Sequence, residues 1–475
     1  MIESTPKPDA AAPDASAARP ARAPRRAPNE LTFTLPESAV VAHAADEPDW
    51  LTADRRAAFE RYRTQPVESN QLYTTYVDLR TANLADVVPW DETPRAVAAT
   101  GVDLPAGAAG LAAIAEDRVE ALVLDEPSRS AGVVLDTIGG LLARDPELAR
   151  RLLGDAGSLP DDDKLAQLTR AGWNQGLVLH VPAGVRLERP IVLRWQAGEP
   201  GRALLTRTIL DLGEGAAASV VEELLPSAAA GDRDAGQALF TGSLEIHLTA
   251  GAELAVASIQ DFAAGTVAFQ HRQAEIGEGA TLRWALAQLG GRLVRSRVDN
   301  RLAGDRSSVE QVEIVFGADD QLFDLTSNTR HIGRDTTGNL LSKAALLDAT
   351  RSYMKGLIII EPTAIGTDSF LGEFGMNLSK QARAVAIPSL EIDQPDCRRA
   401  AHSSAVGPID ETQLFYLESR GISPEDARKF IVLGFLEPVV ARVPLVEAQD
   451  RLRELLEAKW DAGARAVSAA TAPAA

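Results

Sequence analysis

The sequence predicts a mainly β protein: a solenoid of stacked coils flanked by an α-rich N-terminal region and an α-helical C-terminal one. Three observations carry this expectation. After Trp173 helical periodicity gives way to eight alternating segments, at 177–181, 185–195, 204–212, 219–225, 239–248, 254–259, 267–276 and 282–289. Alternation broken by Gly, Asp and Pro is the signature of strands joined by turns. A weak repeat underlies these strands: VPAGVRL, LGEGAAA, LTAGAEL, IGEGATL, LAGDRSS and IGRDTTG. Its fourth positions, Gly184, Gly215, Gly251, Gly279, Asp305 and Asp335, are separated by 31, 36, 28, 26 and 30 residues. A loose period near 30 with strands in every unit reads as a solenoid, with Gly and Asp where the chain turns through positive φ or an Asx bend. Finally, 45% of residues are hydrophobic but only 5% aromatic. A core of small aliphatic side chains suits regular stacked layers.

The flanks read as follows. Residues 1–28 are rich in Ala, Pro, Arg and Asp and nearly free of large apolar side chains, which predicts a disordered tail. Arg19, Arg22, Arg25 and Arg26 make that tail locally basic. Residues 29–172 are expected to form an α-rich domain. Within it, 49–63 has helical spacing, with Thr52 as the expected cap, and 73–79 is β-prone. The stretch 139–154 reads as one helix ending at a glycine. The solenoid is assigned to 173–395 and a helical domain to 396–463, with helices at 408–417, 423–436 and 446–460. Ser423, Pro424, Glu425 and Asp426 supply a cap, a proline at the first helical position and acidic first-turn residues. The alanine-rich end, 464–475, is expected to fray.

Composition narrows function. The 48 basic and 67 acidic residues give a formal charge of −19, which disfavours nucleic acid and anionic membrane surfaces as partners. A single cysteine, Cys397, allows no internal disulfide and no cysteine-caged metal. The expected location is a reducing cytoplasm. No apolar run approaches the ~20 residues of a membrane span. No P-loop, H-E-x-x-H or G-x-S-x-G string occurs. Cys397 and His402 stand five residues apart in DCRRAAHSSAVG. Thiolate and imidazole suit iron, copper or zinc, but two ligands do not complete a site. A buried small thiol and a hydrogen-bonded junction histidine fit the same spacing.

Three long strings extend the reading: 331–370 (HIGRDTTGNLLSKAALLDATRSYMKGLIIIEPTAIGTDSF), 388–393 (PSLEID) and 400–435 (AAHSSAVGPIDETQLFYLESRGISPEDARKFIVLGF). Together they resemble the SufB/SufD family of iron–sulfur cluster assembly scaffolds over about 173–460, and NQLYTTYVDL at 70–79 is similar to a Tyr-Thr segment of that family. SufB-type chains carry a cysteine in the strand before the P-x-L-E segment and an acidic residue before the junction histidine. Here 371–387 has no cysteine and Ala401 precedes His402, so the pattern is most like SufD.

The resemblance implies a right-handed parallel β-helix with terminal helical domains and no catalysis of its own. It implies pairing with a SufB-like subunit through the β-helix end, and docking of SufC, an ABC-type ATPase, on the C-terminal helices. A transient iron–sulfur cluster would form at the interface with SufB, none being held stably by this chain alone. His402 maps to the interface histidine. Some SufD chains place a cysteine two residues before it; Cys397, five before, departs from that pattern, which weakens its claim as a further ligand. Gln413, Phe415, Tyr416, Arg420, Gly421 and Ile422 fall in the docking region. The alternatives are a SufB-like homodimeric scaffold and, in another class, a β-helix enzyme acting on polysaccharide.

Overall fold

The computed structural model describes residues 27, 29–42, 47–67, 78–90, 95–96, 104–155 and 159–471. The expected tail up to residue 26, the β-prone stretch before residue 78 and residues 472–475 lie outside them. Sixteen strands, from Gln175–Val181 to Arg399–Gly407, alternate between two sheets, two strands to a coil, so eight coils stack in register. Inside the stack each strand pairs in parallel with the strands one coil before and after, as Thr241 does with Leu205 and Phe269.

The alternating residues face a lumen between the sheets. Trp195, Leu210, Ile246, Trp284, Val298 and Phe323 all lie in that buried layer. Full burial of each aliphatic side chain is worth ~1.5–3 kcal/mol, and a ladder of such layers gives the stack its stability. Several strands are buried on both faces because helices cover the sheets from outside. Phe59, Tyr62, Leu165 and Leu168, from helices Asp49–Thr64 and Lys164–Gly172, pack on Leu205, Leu239 and Phe269 of the first sheet. On the second sheet, Ala257, Ile259, Ala287 and Ile314 lie under Val432, Leu436, Leu452 and Trp460 of helices Pro424–Val440 and Val446–Thr471.

The turn column is real, with one displacement. Gly184, Gly215, Gly251, Gly279, Asp335 and Gly366 have φ between +53° and +76°. In the fifth coil it is Arg306, not Asp305, that turns left-handed, at +58°. Asp305 uses its carboxylate to accept from the Arg334 N–H of the next coil, 2.8 Å away. The spare residue in LAGDRSS moves the bend by one.

The structure departs from the sequence reading elsewhere. The solenoid begins before 173: Gly110–Ala115 and Arg118–Leu124 form a hairpin joined to the second sheet, and Val134–Thr137 pairs antiparallel with Gln175–Val181. Gly110–Ala115 is buried at every position, so it shows no alternation to read. The stretch 139–154 is not one helix. Asp145 and Pro146 break it, Asp145 capping the second piece through the Leu148 N–H. Thr52 caps nothing, because the helix starts at Asp49 behind Pro48. The solenoid also runs past 395, to Gly407. The last helix continues through Gly463 to Thr471, since one glycine costs ~1 kcal/mol and alanine is the best helix former.

Candidate functional site: the open end of the solenoid

Every coil but the last is sandwiched. Among the described residues, strand Arg383–Ile392 pairs only with Arg351–Ile360, and Arg399–Gly407 only with Asp368–Asn377. The C-terminal end is therefore a lumen mouth bounded by two unpaired edges. Long uncovered edges are templates for pairing with another chain. Only Ala384 in Arg383–Ile392, and no residue in Arg399–Gly407, is buried. Ile392 and Val406 are 45% and 42% exposed.

His402 lies on this last strand, in register with Leu371, which faces the lumen. In-register neighbours share a face, so Ala400, His402, Ser404 and Val406 continue the inward columns of Ser369, Leu371, Glu373 and Gly375. His402 is exposed because no further coil covers it. Cys397 occupies the turn between the two edge strands. It is half-buried, against the cluster of Leu340, Ile358, Ile360, Ala364 and Leu371. The structure thus brings His402 and Cys397 to one rim. Among the described residues there is no group of three or more His, Cys, Asp and Glu side chains arranged to hold a metal ion.

One functional candidate was not singled out by sequence reasoning. Glu373 sits one coil beneath the mouth, 1% exposed, with Oε2 accepting from the Ile387 N–H at 2.8 Å. Burial pushes its carboxyl up to about 8, against the opposing pull of that N–H. It ends a polar column on the lumen wall of the second sheet, formed by Glu222, Ser258, Glu313, Ser342, Glu373 and Ser404 and interrupted only at Leu286. Deeper in, Glu222 pairs with Arg272 at 3.0 Å, and Glu313 accepts from Ser296 at 2.8 Å and Gln288 at 3.1 Å. Glu373 has no such company. The available signal was an acid in the inward phase of LGEFGMN.

The expected docking residues lie elsewhere. Gln413, Phe415 and Tyr416 are on helix Glu411–Ser419, which buries none of its residues. Arg420, Gly421 and Ile422 form the following turn, with Arg420 5.2 Å over the Tyr416 ring and Gly421 at φ +87°. Phe415 and Tyr416 are 72% and 56% exposed. Phe430, at 70%, faces away from the buried row of Val432, Leu436 and Val439. An aromatic out of phase with its helix was the readable sign. These helices are fastened to the second sheet: Lys343 Nζ donates to the Phe435 carbonyl at 2.9 Å, and Lys459 Nζ donates to the Leu289 carbonyl and to Gln321 Oε1 at 2.8 Å. Burial brings the Lys459 amine down to about 8.

A groove of about 1040 Å³ on the outer face of the first sheet is lined by both charges. Its cations serve internal pairs: Arg297 with Asp163 and Asp299, Arg301 with Glu275, Arg330 with Glu361, and Lys355 with Asp324. No helix among the described residues is long and apolar enough to cross a membrane.

Comparison with known proteins gives a consistent result. Residues 194–435, just over half of the chain, match the family described as SUF system FeS cluster assembly, SufBD core domain. The chain is 26% identical to the iron–sulfur cluster assembly protein SufD of Bacillus subtilis, over 71% of this chain and 76% of that one. It is 32% identical to an iron–sulfur cluster assembly SufBD family protein of Mycobacterium tuberculosis, over 53% of this chain and 66% of the relative. A SufBD family protein of Staphylococcus haemolyticus is 23% identical over 87% of this chain and 90% of its own length.

Proposed function

The chain belongs to the SufBD family of iron–sulfur cluster assembly proteins, and we propose that it is a SufD-type, non-catalytic scaffold subunit. In this reading it pairs with a SufB-like subunit through the open end of the solenoid and docks a SufC-type ATPase on its C-terminal helices, in the cytoplasm. The observation that carries the proposal is the mouth itself: two edges unpaired among the described residues, one of which carries an exposed histidine.

The chemistry follows from what this chain supplies and lacks. An imidazole is a borderline ligand suited to iron, and the described residues near His402 do not complete a site, so the partner must contribute the remaining ligands. Thiolates are the fitting kind, and Cys397 on the rim is a further candidate. The cluster is cargo, built and handed on. Nucleotide-driven movement of the ATPase would act on the C-terminal helices. The lysine contacts to Phe435 and Leu289 carry that displacement to the stacked coils, which are close-packed and so transmit strain.

Two outcomes test this reading. Co-expressed with its SufB-like and SufC-like partners, the His402→Ala protein should assemble normally but yield several-fold less iron and sulfide per complex. Unchanged cluster loading would remove the ligand role. Phe415→Asp should release the ATPase while leaving the scaffold pair intact on size exclusion. Truncated hot-spot aromatics cost ~2 kcal/mol or more, about 30-fold in affinity. Retention of the ATPase at wild-type stoichiometry would show that helix Glu411–Ser419 is not the docking surface.

A further inference from the structure

We infer that Glu373 is a second ligand of this chain at the mouth, reaching a divalent iron ion held by His402. The inference rests on the reading of the open end as the place where cargo is held, and adds a residue to it.

Four observations place Glu373 there. It is the in-register neighbour of Ser404, so an exposed serine on the last strand is all that lies between its column and the opening. It stands diagonally across from His402 on the same inward face, because His402 pairs with Leu371 two residues earlier. With strands ~4.8 Å apart and ~3.3 Å per residue, diagonal positions on this parallel pair are about 8 Å apart, within reach of long side chains. The opposite wall makes room: a Cβ on Gly356 would lie 3.0 Å from Glu373 Oε1 and 2.5 Å from Leu371 Cδ2. Finally, among the described residues the one hydrogen bond to its carboxyl comes from Ile387, on the edge strand itself. That bond is easily exchanged when a partner or an ion arrives at the edge.

A structural role does not account for the residue. A glutamine would keep a hydrogen bond to Ile387 without placing an ionisable group in the lumen, and the other lumen glutamates have arginine, serine or glutamine partners. Buried acids that the core does not need are retained where chemistry uses them. A carboxylate beside an imidazole is a donor set for divalent iron, and the partner's thiolates would complete it.

The test uses the full-length chain and cobalt(II) as an air-stable substitute for iron(II), with bound metal measured by equilibrium dialysis. Wild type should bind one ion more than His402→Ala. Glu373→Gln should lose that ion or bind it at least roughly tenfold more weakly, while Glu373→Asp retains part of the affinity. If Glu373→Gln binds like wild type and His402→Ala does not, the inference about Glu373 fails and the histidine stands. If both variants bind like wild type, the reading of the mouth as a cation site fails with it.

Discussion

Glu373→Gln should make the protein more stable at neutral and alkaline pH and leave it unchanged in acid. Burial raises the folded carboxyl to about 8 from an ordinary value of 4.5, so between these limits the folded chain holds a proton that the unfolded chain releases. Stability is therefore fully present below pH ~4.5, falls by about 1.4 kcal/mol per pH unit above it, and levels off once pH passes ~8. Over the whole window the loss is on the order of 5 kcal/mol, an upper bound because the last coil can open locally and hydrate the carboxylate. Glutamine has no such proton. Urea denaturation of both proteins from pH 4 to pH 9 should give curves that coincide at the acid end and separate steadily towards pH 8. Other titrating groups act alike in both chains and cancel. Parallel curves across that range would show that Glu373 is solvated in the folded state.

A gain in stability paired with a loss of metal binding would be the mark of a functional residue. Proteins keep costly groups where activity needs them, and here the cost falls beside the coil whose edges carry no further strand among the described residues. The same variant thus separates the two roles: its fold improves, so a weaker hold on cobalt(II) cannot be blamed on unfolding.

How much of this was legible depended on burial. Between Leu204 and Leu289 the expected strands agree with the observed ones to within two residues at either end, because lumen-facing aliphatics alternate with residues on the outer face. The reading failed where that contrast vanishes. Gly110–Ala115 is covered on both sides and reads as an undifferentiated apolar run. Arg399–Gly407 has the opposite problem: as the last strand it buries nothing, so its RAAHSSAVG carries no alternation, and the sequence assigns it to the start of a helical domain. The candidate site was hard to see for the same reason. An edge strand with no coil beyond it buries neither face and so lacks the contrast by which strands are recognised. His402 stands out in the sequence through its spacing from Cys397, and the surrounding string gives it an interface role; Glu373, an acid in the inward phase of LGEFGMN, becomes a candidate once the register puts it beside Ser404.

The largest loss of stability is expected at Asp163. Its carboxylate accepts from the Leu165 and Ala166 N–H groups at 2.9 and 3.1 Å, capping helix Lys164–Gly172, and meets Arg295 at 3.0 Å and Arg297 at 2.9 Å on the outer face of the first sheet. One buried group thus ties the N-terminal helical layer to the solenoid. Burial alone would raise its pKa, but the pull of its positive neighbours, Arg295 foremost, outweighs this and holds it well below the usual carboxylate range. Its contribution is present above the unfolded value near pH 4 and lost as pH falls towards the folded one. Asp163→Ala removes a cap worth ~1 kcal/mol and breaks a buried ion pair, a change that costs ~3–5 kcal/mol. The sum is on the order of 5 kcal/mol, readable as a lower urea midpoint and faster hydrogen exchange along Lys164–Gly172. Asp163→Asn should recover the cap alone, about a fifth of the loss. Wild-type exchange in the alanine variant would show that apolar packing holds the layer without the carboxylate. The position also probes the rod. Arg295 and Arg297 lie two coils from Glu373, ~10 Å along the stack, and on the other side of the sheet. In a solenoid whose coils touch only their neighbours, the effects of Asp163→Ala and Glu373→Gln should add to within ~0.5 kcal/mol. A larger deviation would mean that the two sites couple in stability beyond nearest-neighbour contact between coils.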